Sequence, residues 1–133
     1  MTVAAQAAGF SPLTIETKSG AHAFQVEVAA DDTTRATGLM YRRTLDADKG
    51  MLFDFGRTQP VAMWMQNTYV ALDMVFILPD GTVHRVEDHT TPLSTRSIES
   101  GVDVRYVLEL PAGTADRIGI VRGSKVKHAI IGK

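Results

Sequence analysis

Alternating apolar and polar positions mark out several strands. Leu13, Ile15 and Thr17 oppose Thr14, Glu16 and Lys18, and Ser19-Gly20 supplies a turn after them. Residues 21–29 read as the return strand, with His22, Phe24, Val26 and Val28 on one face. His22 sits near the turn and is expected to be exposed. Met51, Phe53 and Phe55 share a face of a short strand over 50–55. The run 70–78 is apolar on both faces except at Asp73, and Pro79-Asp80-Gly81 then predicts a hairpin into 82–89. Val104, Tyr106, Leu108 and Leu110 alternate against Arg105, Val107 and Glu109, which predicts another strand. A last strand is read over 125–131, with Val126, His128 and Ile130 on one face and His128 as a core or boundary histidine.

Helical spacing is scarcer. Asp31-Asp32-Thr33 is a helix start with acids at the positive end. Ala36, Leu39 and Met40 follow at i, i+3, i+4, and Tyr41-Arg42-Arg43-Thr44 reads as the helix end. Gly38 inside such a helix implies close approach to a neighbour. Residues 111–118 predict a second short helix, with Pro111 at its start and Gly119 past its end. The fold class expected is mainly β (α+β): a small curled antiparallel or mixed sheet or barrel with two short helices.

The stretch 63–77 is read as the centre of the core and the leading candidate for a functional surface. It holds the single Trp, three of the six Met, and one acid among apolar neighbours. A strand here puts Val61, Met63 and Met65 on one side and Ala62, Trp64 and Gln66 on the other, so Trp64 is expected to be largely buried. Gln66-Asn67-Thr68 predicts a turn or bulge. A carboxylate placed as Asp73 is must be hydrogen-bonded, paired or protonated. Asn67, Thr68, the Trp64 indole N–H and an arginine are the expected partners. The residues leave three readings open. In the first, a non-catalytic binding module, Trp64, Met65 and Phe53 line a cleft, and Asn67, Thr68 and Asp73 orient a small polar ligand or peptide. In the second, Asp73 is the general acid or base of a hydrolase-like enzyme, with Arg42 offsetting negative charge; Arg42 is a candidate ligand contact as well. In the third, Asp73 belongs to a purely structural network.

Composition narrows the classes. At 133 residues the chain is long enough for one domain, read as 11–133 behind a disordered remnant over 1–10. That first segment lacks a basic region and a full apolar region, so it is the remnant of a signal peptide or a disordered native end. A net charge of −1 gives no footprint for nucleic acid, and no apolar run is long enough to span a membrane. The absence of cysteine removes disulfides, thiol catalysis and thiolate metal ligands. His84 and Asp88 alternate against Glu87 and His89, so no face of that strand offers three metal ligands, and no metal site is expected. Ser94, Thr95 and Ser97 lie in an irregular stretch over 90–101 without a nucleophile pattern. No phosphate loop, zinc-protease helix motif or dinucleotide fingerprint occurs, and no cofactor is expected.

Five blocks in order carry a resemblance. They are Gly38-Leu39-Met40-Tyr41-Arg42, Gly50-Met51-Leu52-Phe53, Trp64-Met65-Gln66-Asn67-Thr68, Leu72-Asp73, and Tyr106-Val107-Leu108-Glu109-Leu110 with Ala112-Gly113. Over about 13–131 the chain resembles the domain of unknown function 192 family, departing at Ala71, where members often have Pro. The resemblance implies a single β-rich domain and an exported, periplasmic or secreted location, with a cytoplasmic one left open. It supplies no activity.

Overall fold

β1 (Ser11–Thr17) and β2 (Gly20–Ala29) pair as the hairpin expected from their alternation, Leu13 opposite Phe24 and Ile15 opposite His22. The computed structural model describes residues 9–132. The expectation of a disordered start over 1–10 falls mostly on residues 1–8, outside the described residues.

After β2 come α1 (Asp32–Thr37), β3 (Lys49–Gln59), β4 (Ala62–Met63), β5 (Leu72–Ile77), β6 (Val83–Glu87), β7 (Ile98–Glu99), β8 (Val104–Pro111), α2 (Thr114–Ile118) and β9 (Lys125–Lys127). Seven strands form one sheet in the order β6-β5-β8-β3-β2-β1-β9. The pairing is antiparallel except between β2 and β3, which run parallel across the connection carrying α1. β4 and β7 form a separate small ribbon.

The sheet curls until its two edges meet. Thr82 bridges Lys125, the Val126 amide donates to the Gly81 carbonyl at 2.8 Å, and the Val83 amide donates to Ser124 at 2.9 Å. Gly81, at φ +94°, is needed there: a Cβ would lie 2.6 Å from the Val126 carbonyl oxygen. The result is a half-barrel with a core on each face. Leu13, Ile15, Val26, Val75, Leu108 and Leu110 fill the inside of the curl, where Ala115 and Ile118 of α2 pack. Met51, Phe53, Leu72, Met74 and Val107 cover the outside, under Leu39, Val61, Met65 and Ile98 from the connections.

Four local expectations are corrected. α1 begins as expected, with the Thr34 amide donating to the Asp31 carboxylate at 2.8 Å, but it ends at Thr37. Gly38 turns to φ +49° and Tyr41 to φ +67°, so Leu39, Met40 and Arg42 lie on a loop. Over residues 61–66 only Ala62 and Met63 are strand, because only they find partners, in Glu99 and Ile98; Trp64 is 49% exposed instead of buried. α2 starts at Thr114 after Gly113, while Pro111 closes β8. β9 stops at Lys127, and half-buried His128 sits 2.7 Å from the Ser11 hydroxyl. Among the described residues no helix is long and apolar enough to cross a membrane.

Candidate functional site

Asp73 lies on the inner face of β5, beside Val75 and Ile77, and is fully buried. One carboxylate oxygen accepts the His89 amide at 2.9 Å, and the other accepts the Ala115 amide at 2.8 Å. Gly113 offers no side chain to cap α2, so the Asp73 carboxylate takes that place from another strand. This corrects the expected anchor. None of Trp64, Asn67, Thr68 or an arginine bonds to Asp73. Thr68 donates to the Gln66 carbonyl, and Asn67, at φ +56°, donates from its side-chain amide to the Tyr41 hydroxyl.

The outer face is different. Between α1, the loop after it and the 62–68 segment runs a cleft of about 250 Å³. Phe53 and Phe55 of β3, Leu39, Met63, Trp64 and Thr68 line it. Of the residues named from sequence, Trp64, Phe53 and Thr68 therefore meet in one place. Met65 is buried beneath, its sulfur accepting the Thr90 hydroxyl at 3.3 Å. Arg42 is directed elsewhere. Its guanidinium makes a two-pronged pair with Glu27, and it faces a separate groove with Phe10 and Leu45.

Gly38 shapes the cleft wall. A Cβ there would sit 3.2 Å from the Phe53 ring, so the close approach inferred from this glycine is real, although the residue ends the helix rather than lying within it.

Glu109 also lines the cleft, and it was not among the residues singled out from sequence. It pairs with Met51 of β3 and Met74 of β5, so its side chain stands on the outer face between two central-strand neighbours. The residue is 4% exposed. Among the described residues no donor or cation reaches its carboxyl, and burial alone pushes its pKa up to about 8. The carboxyl is thus protonated through neutrality. Arg35 is the other charged residue at the cleft, and it is already engaged. It donates to the Asp54 carbonyl at 2.7 Å and to Asp32 at 2.8 Å, and its guanidinium carbon sits 5.9 Å from the Phe55 ring centre.

A second cluster forms just past β6, with its third member supplied from a distant element, as the alternation of that strand requires. β6 ends at Glu87 and His89 turns to φ +49°, so Asp88, His89 and Asp116 bring ligand atoms within 4.8 Å of one another. All three are exposed, and exposed acidic groups commonly gather in this way without an ion.

The family model described as "Uncharacterized ACR", domain of unknown function 192, matches residues 14–128. The chain belongs to this family. Two solved structures are close to it. One, from Sinorhizobium meliloti 1021, is provisionally described as a transcription regulator. It is 47% identical, with 90% of this chain and 93% of that one covered and a TM-score of 0.87. The other is a protein of unknown function from Novosphingobium aromaticivorans DSM 12444. It is 30% identical, covering 96% and 99% of the two chains, with a TM-score of 0.86. No curated protein matches the chain.

Proposed function

We propose that this family member is a small binding domain that receives its ligand in the cleft floored by Glu109. One observation carries the reading: a buried carboxyl with no partner among the described residues borders an open cleft. An uncompensated polar group in a core costs free energy, and natural folds keep such groups mainly where function needs them. The half-exposed Trp64 on the rim adds a large rigid contact surface of the kind that anchors ligands.

Binding is favoured over turnover. Glu109 has the right character for a general acid, but of the two hydroxyls lining the cleft, that of Thr68 is committed to the Gln66 carbonyl and that of Thr37 lies on the exposed end of α1. Asp73, the earlier candidate acid, is held by two amides on the opposite face of the sheet. The transcription-regulator description of the Sinorhizobium protein is not extended to this chain, since a net charge of −1 gives no footprint for nucleic acid. The export implied by the family resemblance belongs to the same proposal, with a small molecule or peptide as the ligand.

An NMR screen of a small-fragment library tests this. Hits are expected to move the Trp64 indole, Gly38 and Thr68 signals together. Trp64→Ala should weaken them while changing stability by no more than ~0.5 kcal/mol, since the residue is half exposed. Hits that all map away from the cleft would overturn the proposal.

A further inference from the structure

We infer that the group this cleft takes is a primary alkylammonium, its N–H donors set on the Glu109 carboxylate and its carbon chain against Trp64, Phe53 and Phe55. The inference rests on the binding reading above and names the chemistry of its ligand.

Three features of the cleft converge on a cation with a short apolar stem. Its floor offers an acidic group and no competing protein cation, because the Arg35 guanidinium is matched by Asp32 at 2.8 Å and held by the Asp54 carbonyl. Its walls are aromatic and thioether surfaces, whose faces attract cations. The same wall already accepts one cation, since Arg35 lies over the Phe55 ring. An anionic ligand would be repelled as soon as Glu109 ionised. At about 250 Å³ the cleft is slightly smaller than the ~300 Å³ at which drug-sized sites begin, which suits a short alkyl chain better than a ring system.

Proton balance follows directly. The free carboxyl is protonated at neutral pH, and an arriving ammonium stabilises its ionised form. One proton therefore leaves Glu109 for solvent as the ion pair forms. Arg35 is the other charged side chain facing the cleft, contributed by α1, while the flanking β3 and β5 positions are Met51 and Met74. The same chemistry could arrive as a free amine or as the lysine side chain of a peptide.

The test uses the whole protein and four probes: n-butylamine, N-acetyl-lysine methylamide, n-butanol and butyramide. Calorimetry at pH 7 in two buffers of different ionisation enthalpy counts protons, and the Trp64 indole signal locates binding. Both amines should bind in the cleft and outbind butanol and butyramide. Close to one proton should be released per amine bound. Affinity should rise towards about tenfold per pH unit between pH 6 and 7.5. Glu109→Gln should weaken the amines by about tenfold or more while leaving the two neutral probes unchanged. The probe comparison needs no variant, so it stands even if Glu109→Gln does not fold. A preference for the lysine derivative identifies a peptide source, and a preference for butylamine a free amine; either supports the inference. Equal or tighter cleft binding by butanol or butyramide overturns the ammonium assignment and leaves the binding cleft intact. Failure of all four probes and of the fragment library at Trp64 overturns both.

Discussion

The Asp73 carboxylate accepts the amide of Ala115, 42 residues along the chain, at 2.8 Å. That bond ties the central strand β5 to the first turn of α2, the helix that packs against the inside of the curl. The second oxygen holds the His89 amide, two residues past the end of β6, the edge strand paired with β5. One buried acid thus fixes three segments.

Asp73→Ala should accordingly leave the buried Ala115 amide and the part-buried His89 amide without an acceptor, lowering stability by ~2–6 kcal/mol at ~1–3 kcal/mol per unsatisfied group. Asp73→Asn keeps one acceptor and should cost less. Chemical denaturation measures both. In each folded variant the Trp64 indole signal should stay in place, because the cleft is on the other face of the sheet. A change below ~0.5 kcal/mol for the alanine variant would remove Asp73 from the structural account.

Gly38→Ala should be costly in a different way. Its φ of +49° with ψ −132° is glycine territory, and the new methyl would press on the Phe53 ring at 3.2 Å. A loss of ~1–3 kcal/mol is expected from backbone strain alone. The Phe53 ring signals and fragment binding in the cleft should change with it. Unaltered stability would mean that the loop after α1 relaxes freely.

Much of the fold is legible in the sequence. The β1–β2 hairpin, the hairpin after β5 and the face of Tyr106, Leu108 and Leu110 all follow from period-two alternation and turn chemistry. The misses have physical causes. Helical spacing over Ala36, Leu39 and Met40 gave no sign that Gly38 would turn left-handed and stop α1. The partners of Asp73 come from residues 16 and 42 positions away, and no local pattern reports such contacts. Trp64, Phe53 and Thr68 were legible as neighbours. Glu109 was passed over because alternation placed it opposite Tyr106, Leu108 and Leu110, on the face shared with Arg105 and Val107. Yet β8 is a central strand with both faces covered. The signal was present: a single acid in the run Val107-Leu108-Glu109-Leu110, the same signature that drew attention to Asp73.

Glu109 also sets a pH dependence of stability. Its folded-state pKa of about 8 lies above the ordinary 4.5, so the native state holds a proton that the unfolded chain releases. Stability from this group is therefore full below pH 4.5 and is lost as pH rises towards 8, by up to ~1.4 kcal/mol per pH unit. Glu109→Gln should flatten that part of the curve and make the protein more stable than wild type near pH 8. Urea midpoints between pH 5 and pH 8 measure it. Parallel pH profiles for the two proteins would count against a neutral buried acid.

The central claim is that Glu109 sits in the cleft as an unpaired acid awaiting a partner, and the most direct measurement is an NMR titration of its carboxyl carbon in the free protein. The account predicts an inflection near pH 8 accompanied by movement of the Trp64 indole signal. An inflection near the ordinary 4.5, with no response at Trp64, would contradict it.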